Sequence, residues 1–87
     1  MGSRDHLSAM PTVLRVGPYR FFFYSGDRDE PRHIHVERDA DRAKFWLEPV
    51  RLHDSTGFRG GELARLAAIV EAHQLQLVRA WDEFFGT

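Results

Sequence analysis

The sequence predicts a single small α+β domain, a strand-rich first half followed by a helical second half. Two observations carry this. Apolar residues alternate with polar ones through His33–Arg38 and Ala43–Leu47, the period of half-buried strands. From Glu62 to Phe85 neither Gly nor Pro interrupts a stripe of apolar residues at helical spacing. A third observation sets the scale: 87 residues hold 7 Phe, 2 Tyr and 2 Trp, and each such ring buries roughly 150–250 Å². One aromatic core is therefore within reach, and a second domain is not.

The elements follow in order. Residues 1–9 carry Arg4, Asp5 and His6 and lack the apolar run of a signal peptide. They read as a cloning scar or an over-long, disordered start, with Met10 the natural initiator of a domain spanning 10–87. Thr12–Val16 is a β-branched run closed by Gly17-Pro18, and Tyr19–Tyr24 is aromatic at five of six positions. The pair predicts a hairpin. Ser25–Pro31 is a polar loop bounded by Gly and Pro.

His33–Arg38 and Ala43–Leu47 are expected as a second hairpin over a four-residue loop, Asp39 to Arg42. Placing Arg38 opposite Ala43 sets Val36 against Phe45 and Ile34 against Leu47 on the core side. On the other face His35 then meets Trp46, and His33 meets Glu48. A slip by one residue would turn the histidines into the core. The sheet is thus three to four strands, about 12–16, 19–24, 33–38 and 43–47, with Val50–His53 available as a further short piece after Pro49.

Leu63, Leu66, Ala67 and Val70 share one helical face, and Leu77, Ala80, Trp81 and Phe84 repeat it. Polar His73 and Gln74 weaken the stripe between them. The expectation is two helices, about 60–72 and 74–85, rather than one of roughly 36 Å, with Gly86 as the stop. His73 would face the dipole of the first helix end. Trp81, Phe84 and Phe85 would dock a helix on the sheet, with surplus aromatic surface available for a homodimer or a protein partner.

Composition excludes several classes. Without Cys there are no disulfides and no thiolate zinc sites, which fits a reducing, cytoplasmic setting. No apolar run approaches the ~20 residues of a membrane span. The formal charge of −1 gives no global pull toward nucleic acid. Of the 12 Lys and Arg residues only Lys44 is a lysine. That bias suits bidentate phosphate recognition, and it equally suits the coding preference of a GC-rich genome. Arg15, Arg20, Arg28, Arg32, Arg38 and Arg42 interleave with Tyr19, Phe22, Tyr24 and Trp46, a pattern compatible with RNA. Asp27, Asp29, Glu30, Asp39 and Asp41 lie among them and blunt the field.

The sharpest chemical feature is His33 with His35. Two residues apart on a strand, both imidazoles point to one face, about 7 Å apart. They are candidates for a general acid and base in phosphodiester cleavage, with Arg20 and Arg32 as phosphate contacts. As alternative metal ligands they would need further donors, for which Glu37, Glu48 and His53 are at hand. The third reading makes them half-exposed strand residues without chemistry. No Ser-His-Asp spacing or phosphate-cradling Gly loop occurs, and Gly60-Gly61 is too short for one. No cofactor is expected.

Met10-Pro11-Thr12-Val13, Tyr19 to Ser25, Pro31-Arg32-His33-Ile34-His35-Val36, Ala43 to Leu47 and Ala80 to Phe85 together resemble the bacterial domain-of-unknown-function 4160 family over nearly all of residues 10–85. The chain departs from that pattern at Arg59, where relatives often place a Ser that caps the helix ahead of Glu62. Lys44 is shared with close relatives only. Genes of this family often neighbour those of the domain-of-unknown-function 2442 family, in pairs that look like toxin–antitoxin modules. The resemblance implies a small cytoplasmic protein with an antitoxin-like partner, acting on RNA as a ribonuclease or RNA-binding inhibitor. Of the residues it covers, His33 and His35 are its natural site candidates.

Overall fold

The computed structural model describes residues 9–86, so the expectation for residues 1–8 lies outside the described part. The alternating segments form strands: β1 (Ala9–Val16), β2 (Tyr19–Tyr24), β3 (His33–Arg38), β4 (Asp41–Leu47) and β5 (Val50–Thr56). They make one antiparallel sheet in the order β1-β2-β3-β4-β5. The sheet has one strand more than the three to four expected. Val50–Thr56 is an exposed edge strand with few apolar residues, and edge strands need little hydrophobic alternation.

Two-residue turns join β1 to β2, β3 to β4 and β4 to β5. Val16 pairs with Tyr19 across Gly17-Pro18, and Gly17 takes φ 56°. Arg38 pairs with Asp41 across Asp39-Ala40, and Asp39 takes φ 55°, a conformation that Asp tolerates better than most side chains. The four-residue loop is therefore replaced by a tight turn, and the β3–β4 register moves by two residues. Val36 faces Ala43, Ile34 faces Phe45, His35 faces Lys44 and His33 faces Trp46. An even shift leaves every side chain on its expected face. In β1 the register slips between Ala9 and Thr12, around Pro11, as befits a strand edge where a residue lacks its N–H.

One sheet face carries Tyr19, Phe21, Phe23, Ile34, Val36, Ala43, Phe45 and Leu47, all buried under the helices. The helices are α1 (Gly60–Ala72) and α2 (Gln74–Phe85), broken at His73. Leu66 and Val70 of α1 and Leu77, Trp81 and Phe85 of α2 complete the core. The expected Phe84 is 39% exposed: with Leu77 as origin, steps of four reach Trp81 and Phe85 instead. Burying each of these large side chains contributes about 1.5–3 kcal/mol.

Polar residues explain the break. The His73 Nδ1–H donates to Ile69 O at 2.8 Å, closing α1, while Gln74 Nε2 donates to Leu47 O at 2.5 Å. Arg59 occupies the N-cap of α1 without a side-chain bond to it. Glu62 of the first turn instead accepts from Tyr19 OH at 2.6 Å and pairs with Arg38, tying the helix to β2 and β3. Gly86 ends α2 at φ 74°, its N–H bonded to Asp82 O. No helix among the described residues is long and apolar enough to cross a membrane.

Candidate functional site

On the other sheet face the strands present Arg20, Phe22 and Tyr24, then His33, His35 and Glu37, then Arg42, Lys44 and Trp46. A 3-10 turn, Ser25–Asp29, leaves β2 and carries Asp27 to the two histidines. Asp27 Oδ2 accepts from Tyr24 N–H at 2.9 Å and from His35 Nε2–H at 2.9 Å, and lies 3.1 Å from His33 Nε2. Both imidazoles thus turn the same ring nitrogen toward one carboxylate oxygen.

Only one of them reaches solvent. His33 is 0% exposed, which corrects the expectation that the pair projects outward together over Trp46. Its ring centroid lies 4.9 Å from Trp81, 5.7 Å from Trp46 and 5.0 Å from His35, so it closes the gap between the end of β3 and α2. His35 stacks on Phe22 at 5.5 Å and meets Tyr24 edge-on at 4.7 Å. It does not pair with Trp46, nor His33 with Glu48, because the register moved by two. His35 keeps 17% of its side chain exposed and lines a cleft of ≈ 220 Å³ with Arg42, Ala43, Lys44, Asp54, Ser55 and Thr56.

The tautomers follow from the partners. A carbonyl oxygen only accepts, so His33 Nδ1, 2.8 Å from Pro31 O, carries a hydrogen. A carboxylate only accepts, so His35 Nε2 carries one too, which leaves Nδ1 of a neutral His35 as its lone-pair nitrogen. The His33 Nε2 remains. Buried, it has no hydrogen-bond partner. It nonetheless faces Asp27 Oδ2 at 3.1 Å, an ion pair whenever the ring is protonated. Burial opposes the charge on Asp27, but the His33 and His35 side chains and the Tyr24 N–H outweigh it and hold the carboxyl well below the ordinary Asp range.

The two guanidiniums expected to hold phosphate already engage carboxylates. Arg20 donates to Glu37 at 2.9 Å and Thr12 at 2.7 Å, and lies 4.2 Å over Phe22. Arg32 donates to Asp82 at 2.7 Å and lines a separate cleft of ≈ 370 Å³ with Pro31, Trp46, Glu48, Pro49 and Arg51. The cations beside His35 are Arg42, bonded to Tyr24 OH at 2.9 Å, and Lys44, bonded to Glu30 at 2.6 Å. Sequence reading missed Asp27 in this role, because nothing in a polar loop says which carboxylate the turn will aim at β3. The loop is held from below: Arg28 donates to Phe85 O at 2.7 Å.

In comparison with known proteins, the family model described as "Domain of unknown function (DUF4160)" matches residues 19–82. No curated protein and no solved structure matches.

Proposed function

The chain belongs to the DUF4160 family, and from that premise we propose an RNA-directed, toxin-like component of a bacterial two-gene module, working in the cytoplasm against an antitoxin-like partner. The supporting observation is the Asp27–His35 dyad at the edge of a cleft that also holds Arg42 and Lys44. Asp27 fixes the His35 tautomer, as a carboxylate does for a general base. The Nδ1 lone pair then takes the proton of a ribose 2′-hydroxyl as its oxygen attacks the adjacent phosphorus. The bond to the 5′-oxygen breaks, that oxygen takes a proton from water, and a 2′,3′-cyclic phosphate and a 5′-hydroxyl result.

Arg42 and Lys44 neutralise the charge that builds on the phosphoryl oxygens. His33, without exposed surface, orders the cluster rather than touching RNA, so one imidazole replaces the pair expected from sequence. Arg20 and Arg32 serve longer RNA tracks only by exchanging their present carboxylate partners. The test is cleavage of a synthetic RNA by untagged, chelator-treated protein, beside the same strand with 2′-deoxy sugars. The RNA alone should be cut, and His35→Ala should slow the reaction by about 10² or more. Equal cleavage by the variant would remove the assignment.

A second reading draws on β5, an open edge whose Leu52 is 40% exposed. An extended segment of the partner protein can add there as a further strand. Tight partner binding with RNA left intact would favour this non-enzymatic interaction module.

A further inference from the structure

We propose that Asp27, His33 and His35 form a binding site for one divalent transition-metal ion of the zinc class. The site goes beyond the RNA reading and stands without it. The first argument is the arrangement of donors. One ligand atom from each residue lies within 4.8 Å of the others, and Asp27 Oδ2 is 3.1 Å from His33 Nε2 and 2.9 Å from His35 Nε2. With metal–ligand bonds near 2.0–2.1 Å, tetrahedral neighbours stand roughly 3.3 Å apart. The two distances to Asp27 are therefore within a few tenths of an ångström of a coordination shell.

The second argument is the buried nitrogen itself. His33 Nε2 is fully buried, makes no hydrogen bond, and points at an anion 3.1 Å away. A cation seated between the two would engage both. The surroundings already supply what metal ligands need from their neighbours. His33 Nδ1–H is anchored on Pro31 O, which leaves Nε2 as the nitrogen for a metal, and Asp27 Oδ2 is anchored on Tyr24 N–H. For His35 a shift of its hydrogen from Nε2 to Nδ1 frees the third donor.

The donor chemistry sets the class of ion. Two imidazoles and one carboxylate, with no thiolate in the chain, suit Zn²⁺, Co²⁺ or Ni²⁺ rather than Ca²⁺ or Mg²⁺, which demand oxygen shells. Three protein ligands leave a fourth position for water or substrate, on the side where His35 is exposed. With the ion bound, His35 and Asp27 are ligands and the Asp27–His35 dyad is out of service. Metal loading should therefore inhibit metal-free RNA cleavage.

The experiment needs no RNA. Untagged full chain, freed of metal by chelator, is titrated with Zn²⁺ by calorimetry and with Co²⁺ by visible absorption. One ion per chain is expected, with the intense bands of low-coordinate Co²⁺. His35→Ala and Asp27→Asn should each weaken binding by roughly 100-fold or more, beyond the loss of a mere outer-shell partner, while His53→Ala and His73→Ala leave it unchanged. Circular dichroism establishes that each variant is folded. Absence of binding, or binding that survives both ligand substitutions or disappears with His53→Ala or His73→Ala, overturns the site.

Discussion

What the Asp27 hydrogen bonds contribute can be read from the stability of two substitutions there. Asp27→Ala removes the oxygen that accepts from Tyr24 N–H and His35 Nε2–H. Each stranded donor costs about 1–3 kcal/mol in a partly buried setting, so the variant should lose about 3 kcal/mol, a large part of a typical small-domain stability. At roughly 4–8 °C per kcal/mol for a chain of this size, Tm falls by some 12–24 °C. Asp27→Asn differs in kind. Its amide oxygen, placed in the Oδ2 position, keeps the bonds from Tyr24 N–H and His35 Nε2–H and loses only the charge. The loss should then be about 1 kcal/mol. Urea unfolding of the metal-free proteins at neutral pH measures both, provided the m-value is unchanged. If Asn costs as much as Ala, the two hydrogen bonds at Oδ2 are not the source of the loss and the charge of the carboxylate is, since breaking a buried ion pair costs roughly 3–5 kcal/mol.

Two further outcomes follow from the structure. Gly57 sits at φ 95°, and a Cβ there would overlap the Asp41 carboxylate, lying 2.8 Å from its Cγ. Gly57→Ala should cost roughly 1–3 kcal/mol and disturb the Asp41–Arg38 pair, as a thermal melt would show; an unchanged Tm would argue against this close approach. The Asp27 carboxyl has its folded pKa lowered from the ordinary 3.8. The stability it contributes is complete above that ordinary value and is lost as the pH falls through the lower folded one. The gap between wild type and Asp27→Asn in urea should stay constant from neutral pH to about pH 5 and close under more acidic conditions; a gap that widens with acid would reverse the sign.

Face assignment was legible because it depends only on parity. Ile34 and Val36 against His33 and His35 need no knowledge of the turn, and the two-residue shift at Asp39-Ala40 left them where alternation put them. Register was not legible, since it turned on whether Asp39 would accept a positive φ. The helix break was visible in the polarity of His73 and Gln74, and the bonds that fix it were not. β5 went largely unseen because an exposed edge strand has little burial to impose a pattern, and a register shift between Lys44 and Phe45 interrupts its pairing. The candidate site was half legible. The histidines announced themselves by spacing, whereas Asp27 arrives through the geometry of one short turn, and the depth of His33 comes from Trp81 packing against it from 48 residues downstream.

Arg28 on Phe85 O, and Arg32 on Asp82, moor the segment around Asp27 to the last turns of α2. The carboxylate is therefore aimed from both ends of the domain at once. Whatever coupling these contacts carry between the Asp27 cluster and the seating of that helix acts equally in both directions. A grip on the outer surface of α2, at exposed Leu75 or Phe84, would be felt at the opposite face of the sheet without touching a histidine.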